Sequence, residues 1–149
     1  MTAVDNMWTV EVFEADGGSM PFERFAKSLS DFKFAALDMA IKHILAGRGL
    51  DLVGTNWLRP LGKGLHEFRV RHDARDIARM FDLEPGHAGT KGEEVLLRVF
   101  VHFYGDKIVL LLGGFDKGKD AKRQQREIDT AKSLLVQFKE RRRREKRRR

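Results

Sequence analysis

The chain of 149 residues is the size of one domain, large enough for a core without disulfides or bound metal, and having no cysteine it holds neither a disulfide framework nor a thiolate zinc site. Its longest wholly apolar run, Ile108 to Leu112, is far too short to span a bilayer, and the first residues, with Asp5 and Glu11 and no basic segment, lack the form of a secretory signal, so a cytoplasmic protein without membrane contact is expected. The net charge of +7 resides entirely in the last eleven residues, nine cations against two anions, while the other 138 balance 20 cations against 20 anions.

In chain order, Trp8 to Phe13 alternates weakly and predicts a first strand, closed by Asp16-Gly17-Gly18. Ser19 and Pro21 mark a helix start, with Phe22, Phe25, Ala26 and Leu29 at helical spacing. A second helix begins near Asp31, carries a stripe of Phe34, Leu37, Ile41, Ile44 and Leu45, and stops near Gly47 and Gly49. Leu65 to Arg71 is a strand with Phe68 and Val70 on one face and Glu67, Arg69 and Arg71 on the other. Ala74 to Asp82 reads as a helix through Ile77, Met80 and Phe81, in preference to an extra strand. The loop PGHAGTKG follows, and residues 73–93 together form an insertion between strands. Val95 to Tyr104 and Lys107 to Leu112 pair through a hairpin turn at Gly105-Asp106, after which Gly113, Gly114 and Gly118 make a corner. From Asp120 a last helix carries Ile128, Ala131, Leu134, Leu135 and Phe138. Residues 139–149 are a basic tail, either an unstructured end or an extension of that helix. Trp8 and Trp57 belong to the core or its margin. The expected fold is α+β: a small antiparallel sheet of one N-terminal strand and a three-stranded meander, two helices between them, and a C-terminal helix, all in a single domain of residues 1–138.

Alternation along the third strand puts Leu97, Val99, Val101 and Phe103 on one face and Arg98, Phe100, His102 and Tyr104 on the other. The second face mixes a cation, an imidazole and a phenol, and is expected to meet a ligand or partner, phosphate and base being the obvious candidates. Charge supports this. Residues 59–72 are net +3 and 117–126 net +4, whereas 1–57 are net −3, the local clustering that polyanion binding requires. Arg69, Arg98, His102, Tyr104 and Lys117 are candidates for chemistry, and Lys63, Arg71, Lys119, Lys122 and Arg123 for RNA contact. Lys63, Lys117 and Lys119 lie on glycine-flanked corners where a backbone phosphate can approach closely. Each has a plainer alternative: an ion pair of Arg98 with Glu67 or Glu94, a solvated lysine, a structural strand histidine. No set of residues has the spacing of a metal site.

Three segments in order carry a resemblance. Arg59 to Arg69 reads RPLGKGLHEFR, Glu94 to Lys119 reads EVLLRVFVHFYGDKIVLLLGGFDKGK, and Arg123 to Ala131 reads RQQREIDTA. Over roughly Trp8 to Phe138 the chain resembles the RelE/HigB superfamily of bacterial toxins, in particular its phage-derived HigB-like branch. That resemblance implies a RelE-like fold and a toxin of a toxin-antitoxin system, a ribosome-dependent mRNA endoribonuclease. Such an enzyme uses the RNA 2′-hydroxyl as nucleophile, needs neither cofactor nor metal, and is restrained by a cognate antitoxin of helix-turn-helix type. Arg69 and Arg98 match the family's strand and hairpin arginines, and Lys117 the first of its paired corner lysines. The second lysine position holds Gly118, with Lys119 one step later. The family's corner histidine is replaced by Gly113, and His66 stands where the pattern has tyrosine, which leaves His102 and Tyr104 as proton carriers on the mixed face. The alternative is a catalytically inactive toxin-fold protein that binds RNA, the ribosome or a protein partner.

Overall fold

A computed structural model of the chain describes residues 7–83 and 94–148. Five strands, β1 (Thr9–Val12), β2 (Leu58–Gly62), β3 (Leu65–Val70), β4 (Leu97–Tyr104) and β5 (Ile108–Asp116), form one sheet in the order β1-β5-β4-β3-β2. From β2 to β5 the neighbours are antiparallel, but β1 runs parallel to β5, with Thr9 opposite Ile108 and Val12 opposite Leu111. The fold is therefore α+β with a mixed sheet, and the antiparallel sheet of four strands expected from sequence is corrected twice. The direction of β1 is set by no hairpin, because the chain leaves it through a helical crossover. β2 was hidden by Pro60, which an edge strand tolerates. It pairs with β3 through a tight turn in which Lys63 and Gly64 take φ of 55° and 87°.

One sheet face is covered by α1 (Pro21–Lys27), α2 (Asp31–Ala40), a π-helical turn (Ile41–Leu45) and α3 (Ala46–Arg48). Pro21 opens α1, where a missing N–H costs nothing, and Ser30 caps α2 by accepting the Lys33 N–H at 3.3 Å. Phe22, Phe25, Phe32, Leu37, Ile44 and Leu45 meet Phe68, Val70, Leu97, Val99, Val101, Val109 and Leu111 in the larger core, with Trp8 and Trp57 packed at its margin. Ala36 and Ala40 centre the buried stripe of α2. Phe34, expected in that stripe, is turned to the flank and is 46% exposed. α4 (Ala74–Met80), capped by Asp73, packs on α2 through Ile77, whereas Met80 and Phe81 are exposed. The remainder of the expected insertion, residues 84–93 with the whole PGHAGTKG loop, lies outside the described residues.

The opposite face is covered by α5 (Gln124–Arg147), entered through a 3-10 turn (Ala121–Arg123). Ile128, Ala131, Leu134, Leu135 and Phe138 pack on Leu65, Phe100, Leu110, Leu112 and Phe115. This corrects the expectation that the mixed face of β4 is free for a ligand: its middle is buried under the chain's own last helix. Among the described residues no helix is long and apolar enough to cross a membrane.

Gly113 to Phe115 form no corner; β5 continues to Asp116. Phe100 lies opposite Gly113 and Val101 opposite Leu111, so Leu112 is an extra residue in a bulge. Gly114 is there because the Phe25 ring packs on it: a Cβ would sit 2.7 Å from that ring and from the Arg98 carbonyl oxygen, whereas one on Gly113 would meet Pro21 at an ordinary 3.8 Å. Gly114→Ala is therefore expected to cost about 1–3 kcal/mol through overpacking, and Gly113→Ala less than about 0.5 kcal/mol, within the range of changes that disturb nothing specific. Equal urea midpoints for the two variants would contradict this packing.

Candidate nucleic-acid interface

The register of β2, β3 and β4 brings cations together at one end of the sheet. Arg59 lies opposite Glu67, and Arg69 opposite Arg98, a like-charge cross-strand pair that is unfavourable by itself. Glu67 resolves it. Its carboxylate, with 0% of the side chain exposed, lies 3.2 Å from Arg69 Nε, 3.8 Å from Arg98 Nε and 3.9 Å from Arg59 Nε, and accepts a hydrogen bond from Gln124 Nε2 of α5 at 3.3 Å. The sequence allowed Arg98 an ion pair with Glu67, and that pair forms, with only 2% of the Arg98 side chain exposed. Arg98 donates from Nη1 to the Leu97 carbonyl, while its buried Nε–H meets no hydrogen-bond acceptor among the described residues. Burial, and then the neighbouring arginines, lower its pKa against the opposing pull of Glu67. Arg69 and Arg59, at 21% and 46%, reach solvent.

Lys117 reaches the same cluster from the turn after β5. Asp116 builds that turn: its Oδ1 accepts the Gly118 N–H at 3.0 Å, its carbonyl accepts the N–H groups of Lys119 and Asp120, and its Oδ2 pairs with Lys33 of α2 at 2.7 Å. The Lys117 N–H is held by the Leu96 carbonyl at 2.9 Å. Burial and the charges of Arg98, Arg69 and Arg71 lower the pKa of the Lys117 amine, with Glu67 opposing. Among the described residues, Arg59, Arg69, Arg71, Arg98 and Lys117 gather around the buried carboxylate of Glu67, a local excess of positive charge. Such an excess in a partly dry site favours an anion. Lys119, Lys122 and Arg123 are exposed nearby, Arg123 paired with Glu127 at 2.6 Å.

His102 and Tyr104 are elsewhere. Four residues along β4 separate Arg98 from His102, roughly 13 Å at strand rise, and buried Phe100 lies between them. Lys63 belongs to this second place, its carbonyl accepting from Lys139 Nζ at 2.7 Å. His102 Nδ1 donates to the Gly64 carbonyl at 2.8 Å, which makes Nε2 the lone-pair nitrogen of the neutral ring. Burial holds its pKa below the ordinary value, and Lys139 and Arg142 lower it further, against the hydrogen bond to Gly64. Tyr104 stacks on His102 and donates its hydroxyl to Glu11; burial first, then that bond, pushes its pKa up to about 12. The sequence-predicted candidates thus divide into Arg69, Arg98, Lys117 and Arg71 at one end and His102, Tyr104 and Lys63 at the other.

No protein-family model, no curated protein and no solved structure matches the chain. What its site can do follows from its own residues. Sequence reasoning missed Arg59, Gln124, Asp116 and Lys33 as parts of the site. Arg59 was legible, since it opens the RPLGKGLHEFR segment; the others act through tertiary partners that have no local signal.

Glu67→Ala removes the counter-ion of a buried arginine and is expected to destabilise the domain by about 3–5 kcal/mol, read from urea unfolding; a change below about 1 kcal/mol would show the cluster to be electrostatically slack. Acid provides a second check. His66 and His102 both have lowered pKa values, with burial the first cause, so the unfolded chain binds more protons than the folded one below the ordinary value of 6.5. Their contribution to stability is present above that value and is lost as pH falls through the folded pKa values. His102→Gln is expected to reduce the fall in the urea midpoint between neutral and mildly acidic pH; an unchanged fall would contradict the half-buried, neutral imidazole.

Proposed function

We propose that the chain is a toxin-like endoribonuclease with a RelE-like fold that cleaves mRNA on the ribosome, and that the cluster around Glu67 is where it handles the scissile phosphate. The observation that carries this reading is the excess of cationic side chains around one fully buried carboxylate, with Arg69, Arg59 and Lys117 reaching outward from it. In RNA cleavage the 2′-oxygen attacks phosphorus as its proton leaves, the bond to the 5′-oxygen breaks, and that oxygen takes a proton, giving a 2′,3′-cyclic phosphate and a 5′-hydroxyl. Negative charge grows on the non-bridging oxygens, and fixed guanidinium groups stabilise it. Arg69 and Arg59 are the groups that touch those oxygens. Arg98 stands behind them, raising the potential and holding the strands in place. Lys117, whose lowered pKa brings its amine nearer to neutrality, is suited to carry the proton. Ordering of mRNA by the ribosome supplies the in-line geometry that this open surface does not enforce. Restraint by a small helix-turn-helix antitoxin completes the reading.

A second reading, an RNA- or ribosome-binding protein that does not cut, is favoured by Gly113 in the family's histidine position and by the distance of His102 from the cluster. The two separate on products. Induced alone in a bacterium, the chain is expected to arrest growth and leave cleaved transcripts; intact transcripts at high levels of folded protein would leave only the binding reading. On programmed ribosomes, Arg69→Ala and Lys117→Ala are expected each to slow single-turnover cleavage about 100-fold, the scale of one lost electrostatic donor; Lys117→Ala should keep an unfolding midpoint near the parent's, whereas Arg69→Ala takes the nearest partner from buried Glu67, lowers the midpoint, and is assayed where circular dichroism shows it folded. Parent-like cleavage by both variants would move the chemistry away from this cluster.

A further inference from the structure

The arginine-rich end of the chain is not a loose tail. α5 runs unbroken to Arg147, and three of its basic side chains are engaged by the body of the protein. Lys139 donates to the Lys63 carbonyl. Arg141 donates to the Glu14 carbonyl at 2.9 Å, pairs with Asp16 at 2.8 Å and lies 5.0 Å over the Phe13 ring. Arg142 lies 4.5 Å over the ring of Tyr104. Contacts to β4, to the β2–β3 turn and to the segment after β1 together fix the rotation of the helix about its axis. Lys139, Arg143 and Lys146 recur at i, i+4 and i+7, one helical face. They border a cavity of about 310 Å³ together with Arg142, His102 and Tyr104. Arg144 and Arg148 are exposed and project roughly 150° away round the helix.

Among the described residues, those lining this cavity include four cations and no carboxylate, Glu11 at its edge being taken by the Tyr104 hydroxyl, beside two flat rings that stack on each other with 6° between their planes. Its ligand therefore carries repeated negative charge and is compatible with ring stacking, as a nucleic-acid strand is. A lipid surface fits less well, because a membrane-lying helix needs a free apolar face and that of α5 is buried on the sheet.

We propose that Lys139, Arg142, Arg143 and Lys146, with His102 and Tyr104, form a second RNA site that grips the sugar-phosphate backbone from one fixed face of α5, separate from the cluster around Glu67. The proposal rests on RNA being the ligand of the proposed function. A single phosphate cannot touch both sites, so the second one holds a flanking part of the strand or a ribosomal RNA segment beside it.

Helical phase provides the test. Arg143→Glu with Lys146→Glu, and Arg144→Glu with Arg148→Glu, change the net charge equally, and none of the four side chains is buried. The probe is a short RNA with every 2′-hydroxyl methylated, which cannot be cleaved, alongside phosphatidylserine vesicles. The first pair is expected to weaken RNA binding at least about tenfold and to flatten the salt dependence by about two phosphate contacts; the second pair should weaken it less than about threefold, as screened charge does. Equal losses from both pairs, or vesicle binding that depends on the first pair while RNA binding does not, would overturn the site. A parent that binds the methylated RNA in this phase-dependent way but leaves hydroxyl-bearing mRNA intact on programmed ribosomes removes the nuclease reading and supports this site. A parent that binds neither this RNA nor programmed ribosomes removes both.

Discussion

A single carboxylate lies at the junction of three strands and a helix. Arg59, Arg69 and Arg98 come from β2, β3 and β4, and without Glu67 their guanidinium groups would oppose one another across the sheet. An ionised side chain with no solvent exposure is tolerated only where partners replace its water. Here the arginines do so on one oxygen and Gln124 on the other, which ties the start of α5 to the sheet. Stability and local potential thus have a common origin. The same contacts that let three arginines coexist leave them, with Arg71 and Lys117, in excess over the negative charge available.

Burial divides the labour within this cluster. Arg98, the side chain that sequence alone makes the most attractive phosphate ligand, is almost wholly enclosed, so it is placed to influence an anion through its field and not by contact. The solvent-reaching groups are Arg69, Arg59 and Lys117, and the last is held by a turn that Asp116 organises and Lys33 anchors to α2. Along β4 the bulky Phe100, covered by α5, keeps this end apart from the imidazole and phenol of His102 and Tyr104. One strand face that reads as a continuous mixed surface is in fact two polar ends with an apolar middle.

Much of this was legible because it is periodic. The strands around Phe68, Val99 and Val109, the stripe of α5 from Ile128 to Phe138, and the break at Gly105-Asp106 all follow from local pattern and turn chemistry. What local pattern does not encode was missed. Nothing in Thr9 to Val12 says that it will run parallel to β5, and nothing in Ile128 to Phe138 says which sheet face it will cover. Leu58 to Gly62 has no clear alternation and contains Pro60, which a strand tolerates here because it is an edge. Gly113-Gly114 looked like a corner, yet Gly114 is needed where a phenylalanine from α1 lies against the strand. The arginine run has the same composition whether loose or helical; its state is decided by Glu14, Asp16, Tyr104 and the Lys63 carbonyl, all remote in sequence.

The central claim is that an anionic RNA group is held at the cluster around Glu67, and arginine side-chain NMR reads it directly. Titration with the uncleavable RNA should shift the Nε–Hε resonances of Arg69 and Arg98, and that of Arg59 with them, while Arg48, exposed at the end of α3, stays in place. Unmoved Arg69 and Arg98 signals in a protein saturated with RNA would contradict it.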